Sequence, residues 1–322
     1  MISTPTTLVL GAGASKPYGF PTGGELAQKL CSPLNLTHPH GIYSDQQLEQ
    51  FSERFLNSGL YSIDAFLAHN GDVPLRGYLD TTYEDVGKYA IAKILCTLEY
   101  PGAIFNPNGV IDDHWYKYLW NRLVCPIEKF QENKLKIVTF NYDRSLEYFL
   151  FTTIKNTYNL HPGEAIKLLN SIPITHVYGQ LGMFLGQGEK REQREFKSSL
   201  PSKEELKLAA NSLMVIDEKR DNSTNFSTAV EYISQAERVC FLGFGFDETN
   251  VERLKIREIA RQKKPPTFYA STFGTARAER EKIIQLLSHP EKYGIQDHVR
   301  FIVEKFLDLK SEQYLRETGV FL

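Results

Sequence analysis

Hydrophobic positions along this chain fall into two rhythms, and their alternation predicts the architecture. Short continuous apolar runs that end in glycine or a polar cluster read as buried strands of a parallel sheet. They lie at residues 8–10 (Leu8, Val9, Leu10), 135–140, 173–178, 212–216, 238–242, 267–271 and 299–303. Helical spacing marks residues 25–30, the stretch after Asp143 to about Leu150, and residues 226–235, 248–261 and 276–287. Strand and helix alternate through the C-terminal half. That pattern predicts the α/β class: a Rossmann-like parallel sheet with helices on both faces.

Residues 44–130 break the alternation. Leu48, Phe51 and Phe55 repeat at the helical period, Ser62 reads as the N-cap of a short helix, and residues 89–98 and 115–123 continue the pattern. No strand alternation shows here. The stretch reads as a helical insertion, about residues 40–130, within one domain spanning residues 1–322. Such an insertion covers the sheet, walls a cleft or makes an oligomer contact. Residues 186–202 are polar and charged and read as a surface loop or mobile lid.

Composition narrows the function classes. The chain is 42% apolar and 24% charged, ordinary values for a soluble protein. A formal net charge of -2 gives no bulk electrostatic attraction for nucleic acid. No apolar run approaches the roughly 20 residues of a membrane span, and the N-terminus shows no signal core, so a cytoplasmic location is expected. Cys31, Cys96, Cys125 and Cys240 are scattered, without a C-x-x-C pair, so neither a zinc ribbon nor a disulfide framework is expected.

The candidate chemistry sits where strands end. Residues 8–10 run into Gly11-Ala12-Gly13-Ala14-Ser15 and a second turn, Gly19-Phe20-Pro21-Thr22, before the first helix. A strand, glycine-rich turn and helix can cradle a dinucleotide pyrophosphate, although a tight turn in any α/β protein shows the same glycines. The spacing departs from G-x-G-x-x-G, and residues 31–39 hold no acidic residue for a ribose. Residues 135–140 run into Asn141-Tyr142-Asp143, placing Asn141 and Asp143 beyond a strand's carboxyl end, where either also serves as a helix cap. His176 and Tyr178 share one face of residues 173–178. Gly243-Phe244-Gly245-Phe246 after residues 238–242 forms a second strand, turn and helix unit, as a dinucleotide clasped at both ends requires.

In this order the motifs Gly11–Ser15, Gly19–Thr22, Thr139-Phe140-Asn141-Tyr142-Asp143 and His176-Val177-Tyr178-Gly179, with the Gly243–Phe246 turn, resemble the sirtuin superfamily. The similarity is to its bacterial anti-phage branch, the NAD-consuming effectors of Thoeris, short-Argonaute and HerA-ATPase systems. The resemblance implies NAD+ as substrate and no metal. It implies that Ala12, Gly13 and Ser15 line the phosphates and ribose, with Gly11 and Thr22 also among the cofactor-binding residues. It puts Asn141 at the nicotinamide ribose, placing a water, with Asp143 on the carboxamide and Phe140 among the cofactor-binding residues. It makes His176 the general base, and gives Gly243, Gly245 and Phe246 the adenosine side.

The chain departs from the deacylases of that superfamily. It lacks their zinc module, and it carries Gly19–Thr22 where they have a loop ending in Asp-Phe-Arg. Their catalytic His directly precedes Gly, whereas here Tyr178 precedes Gly179, which makes Tyr178 a rival for the place of His176. The expected activity is therefore NAD+ glycohydrolysis to nicotinamide and ADP-ribose, in abortive-infection defence. The alternatives are a sensor module that binds NAD or ADP-ribose with little turnover and, less favoured, a deacylase or ADP-ribosyltransferase. The abundance of large apolar residues in residues 44–130 predicts a homo-oligomer, and the resemblance implies a HerA-type ATPase or another defence protein as a further partner.

Overall fold

The computed structural model describes residues 1–39, 41–106, 110–214, 224–287 and 305–322. Its strands and α-helices are, in chain order, β1 (Thr6–Leu10), α1 (Gly23–Leu30), α2 (Asp45–Asn57), α3 (Ile63–Asn70), β2 (Pro74–Leu75), β3 (Tyr78–Thr82), α4 (Tyr83–Cys96), α5 (Pro101–Ile104) and α6 (Trp115–Leu123). They continue as β4 (Leu135–Thr139), α7 (Ser145–Thr157), α8 (Pro162–Leu169), β5 (Ile174–His176), α9 (Lys203–Asn211) and α10 (Thr224–Gln235). The last are β6 (Arg238–Leu242), α11 (Glu248–Arg253), α12 (Ile256–Ala260), β7 (Thr267–Ser271), α13 (Arg277–Leu287), β8 (Phe306–Leu307) and α14 (Ser311–Thr318).

Six strands form one parallel sheet in the order β5–β4–β1–β6–β7–β8. Numbered by appearance within that sheet, the order is 3-2-1-4-5-6, that of the doubly wound dinucleotide-binding fold. β1 is central: Leu8 lies opposite Ile137 on one side and Cys240 on the other. Every β1 residue is buried, which accounts for its unbroken apolar run. The order reverses between β1 and β6, so the crevice beyond their carboxyl ends lies between the two glycine-rich loops.

The helical insertion holds a two-stranded antiparallel hairpin, β2–β3, that the sequence reading did not include. All of its strand residues except Leu75 are exposed or half-buried, so they show no apolar alternation. The insertion is also less apolar outside than its composition implied. Phe51, Phe55, Phe66, Tyr89 and Trp115 are fully buried, and Tyr118 and Trp120 nearly so. Of the residues that motivated an oligomer interface, Leu56, Leu60 and Tyr61 remain exposed.

Other boundaries shift. Residues 248–261 form two helices, α11 and α12, parted at Lys255 with a left-handed φ of 51°. In the stretch 212–216, Leu213 makes an isolated bridge to Gly179, and residues 215 and 216 lie outside the described residues. The strand expected at 299–303 also lies outside them, and β8 is the described edge strand. Among the described residues, no helix is long and apolar enough to cross a membrane.

Residues 186–202 are anchored at their middle. Arg194 and Phe196 are buried, and Arg194 forms an ion pair with Glu99 at 2.5 Å. Arg144, also fully buried, pairs with the same carboxylate at 2.9 Å and donates to the carbonyls of Gly182, Met183 and Arg194. This Arg-Glu-Arg cluster ties the segment to the end of α4 and to the chain just after Asp143.

Candidate active site

β1 ends in a 3₁₀ turn, Ala12–Tyr18. Its glycines have a specific packing task. The Gly13 amide donates to the Gly243 carbonyl at 3.1 Å, locking the β1 loop onto the β6 loop. A Cβ on Gly11 would lie 2.4 Å from the Gly243 oxygen, one on Gly13 2.8 Å from Gly243 Cα, and one on Gly243 2.1 Å from the Ala14 nitrogen. Gly243 also has φ of 57°, in the left-handed region. These three glycines thus form the floor of the crevice. Gly245 meets nothing within 4 Å and is exposed. Phe246, beside it, is left-handed at φ 51°, an unusual state for a bulky residue, and its ring packs on Phe241 and Phe244.

The structure brings Ser15, Asn141 and Asp143 together, each less than a tenth exposed. Asn141 Nδ2 donates to Ser15 Oγ at 2.8 Å. Asn141 Oδ1 is buried and has no hydrogen-bond partner among the described residues. An orphaned buried acceptor costs about 1–3 kcal/mol, which a ligand donor would recover. Asp143 Oδ1 accepts the Ser145 amide at 3.0 Å and the Ser145 hydroxyl. Burial pushes the Asp143 carboxyl up, against the lowering effect of hydrogen bonds from Ser145 and Ser15. Tyr116, from α6, completes the cluster with its hydroxyl 2.7 Å from Ser145 Oγ.

Thr22 stands apart, as the N-cap of α1: it accepts from the Glu25 amide at 3.4 Å and donates to the Glu25 carboxylate at 3.0 Å. Ala12 is half-buried at the start of the 3₁₀ turn. Phe140 packs against Tyr178, Phe226 and Phe244, joining the β4 loop to the β6 loop. The hydroxyl of Tyr178 donates to Asn250 Oδ1, so the rival of His176 is itself engaged.

His176 is engaged through both ring nitrogens. Its Nδ1 lies 2.7 Å from the Asn141 carbonyl oxygen, which can only accept, so this nitrogen carries hydrogen. Its Nε2 lies 2.6 Å from Glu147 Oε1. Neither ring nitrogen keeps a free lone pair, so His176 is no free general base in this arrangement. It holds the backbone of Asn141 instead. Burial opposes the imidazolium charge, and the Glu147 carboxylate overcomes that penalty, raising the pKa. Glu147 escaped the sequence reading because a charged residue in a helix reads as solvated, whereas here it is 2% exposed.

A pH dependence follows. The folded pKa of His176 exceeds the unfolded value of about 6.5, so the pair's contribution is full below that pH and is lost as pH rises through the folded pKa. The melting-temperature deficit of Glu147→Gln relative to wild type is expected to be largest in mild acid and to shrink toward alkaline pH. A deficit that stays flat or grows as pH rises counts against an imidazolium at His176.

Asp64, on α3, reaches the residue between Asn141 and Asp143. It is half-buried and accepts the Tyr142 hydroxyl at 2.9 Å. Burial, with Asp247 nearby, pushes its carboxyl up. No feature of the sequence around Asp64 linked it to Tyr142. Among the described residues, no three His, Cys, Asp or Glu side chains converge as a metal site would need.

The crevice is thus a glycine floor between β1 and β6, flanked by a dry polar cluster at the ends of β1 and β4. Such a site can present one buried amide oxygen, Asn141 Oδ1, to a polar hydrogen. A scan against protein-family models finds no match to this chain, and a search of the curated proteins finds none.

Proposed function

We propose that the chain is an NAD+ glycohydrolase, releasing nicotinamide and ADP-ribose, as the sirtuin-like motif order implies. The observation that carries this reading is the buried, unpartnered Asn141 Oδ1 beside a dinucleotide-type switch point. In this mechanism the ribosyl C1′–N bond breaks, and its electron pair neutralises the pyridinium nitrogen. Water then forms the new C1′–O bond. Asn141 Oδ1 accepts from that water or from a ribose hydroxyl. Asp143, with a carboxyl raised by burial, accepts the proton, a role His176 cannot take while Glu147 and the Asn141 carbonyl hold it. Exclusion of bulk water favours an oxocarbenium-like step.

The same burial means that the loops above the cluster must part to admit the dinucleotide. That fits an effector held silent until triggered, and the proposed trigger is a partner protein or self-assembly, with Leu56, Leu60 and Tyr61 the exposed apolar contact on the insertion. A second reading, a sensor that binds NAD with little turnover, draws on the locked His176. One experiment separates them. NAD+ is incubated with the pure chain and followed in cells expressing it, with nicotinamide as the readout. Asn141→Ala is expected to abolish nicotinamide release while melting within a few degrees of wild type, since one exchanged hydrogen bond is worth about 1 kcal/mol. A variant that melts normally and cleaves at the wild-type rate refutes the assignment.

A further inference from the structure

We propose a second ligand site, for a polyphosphate-bearing small molecule, in the groove between α6 and α14. This groove has a volume of about 340 Å³ and is lined by His114, Lys117, Tyr118, Arg122, Glu312 and Arg316. Small-molecule sites commonly begin near 300 Å³.

Charge is the first argument. Three cationic side chains meet one carboxylate. Glu312 Oε1 is taken by Arg316, whose Nε and Nη2 donate to it at 3.0 and 2.7 Å. Arg122 spends Nη2 on the Tyr118 hydroxyl at 3.2 Å. Lys117 Nζ makes no hydrogen bond or ion pair among the described residues. The groove therefore keeps an excess of two positive charges, with N–H groups on Lys117, Arg122 and Arg316 left to give.

Geometry is the second argument. The Arg122 and Arg316 guanidinium carbons both lie 5.0 Å from the centroid of the Tyr118 ring. Tyr118 is 6% exposed, and its hydroxyl donates to the Leu315 carbonyl at 3.2 Å, so the ring is a fixed platform. α14 is itself fixed at its start, where Asp113 accepts the Ser311 amide at 3.1 Å and the Glu312 amide. One aromatic ring thus holds two like-charged forks on two separate helices. Guanidinium forks match phosphate oxygens, and a phosphate dianion beside them offsets their like charge. Tyr118 is already covered by the guanidiniums, so phosphate rather than a stacked base is the recognised group.

The groove also borders the loop that carries Ser15. His114 Nδ1 lies 3.4 Å from the Tyr18 hydroxyl, and Tyr18 accepts the Tyr116 amide at 2.9 Å and stacks on Tyr116. This site is nonetheless independent of the proposed NAD+ cleavage.

The test is calorimetric titration of the full chain at low salt with inorganic pyrophosphate and, separately, ADP. Saturable binding of pyrophosphate is expected, with a loss of at least tenfold in Lys117→Glu and in Arg316→Gln. ADP binding with pyrophosphate inert identifies a nucleoside requirement and overturns a site for the phosphate chain alone. Lys117 is exposed, so its variant reports even if Arg316→Gln misfolds. Asn141→Ala is expected to bind pyrophosphate as wild type does, which separates this groove from the crevice. Absence of saturable binding by wild type, or equal binding by Lys117→Glu, overturns the proposal.

Discussion

Glu99→Gln is expected to be among the most damaging single substitutions in the chain, lowering the melting temperature by on the order of 10 °C. Glu99 is fully buried, and it is the carboxylate shared by the buried Arg144 and Arg194. The cluster carries two positive charges and one negative. Removing the negative leaves two guanidiniums facing each other in a dry interior, and breaking a buried pair in this way costs about 3–5 kcal/mol. With an unfolding entropy of about 2.1 cal/mol/K per residue over 322 residues, each kcal/mol moves the midpoint by roughly 1.5 °C, so the shift is several degrees, on the order of 10 °C. Arg144 separates Asp143 from Ser145, so the same variant should also disturb the candidate site. A thermal melt moved by less than about 2 °C, which is within the effect of an ordinary surface change, would show that the cluster is not what holds residues 181–196 down.

Gly243→Ala is the second. Its new Cβ would lie 2.1 Å from the Ala14 nitrogen and 2.4 Å from the Gly13 carbonyl carbon, both backbone atoms that cannot swing away. The left-handed φ of 57° adds about 1 kcal/mol or more for any residue with a Cβ. The β1 and β6 loops must separate, and both stability and any activity of the crevice should fall together. Gly245→Ala is the matched control, because a Cβ there meets nothing within 4 Å. It should melt as wild type, and any loss of NAD+ cleavage it shows would then come from ligand contact. If Gly243→Ala melts as Gly245→Ala does, the loops are not interlocked.

The sheet was legible because its strands are buried on both faces, which leaves an unbroken apolar run and a glycine at the end. The strands at 238–242 and 267–271 begin and end where those runs do. The β2–β3 hairpin was not legible, since Leu79 and Asp80 face solvent and no burial imposes a pattern on it. Asn141 and Asp143 could be placed at a strand end from local sequence alone. What engages His176 could not, because Glu147 is buried only once α7 is folded against β5. Arg194 was hidden for a similar reason: it sits in a run of charges that reads as solvated, yet its partner Glu99 is 95 positions away. Long-range pairing of charges leaves no periodic trace in the chain.

The interlock of Gly11 and Gly13 with Gly243 also sets a clock on synthesis. β1 precedes the other described strands of its sheet in the chain, yet it lies in the middle of that sheet, and its β6 neighbour begins at Arg238. Gly11 and Gly243 are 232 positions apart, since 243 − 11 = 232. At about 5–20 residues per second, translation leaves the β1 loop without its packing partner for on the order of 10–50 s. Fragments that stop short of Gly243 lack half of the crevice floor. Any activity built on that floor therefore waits until the chain has grown past Gly243.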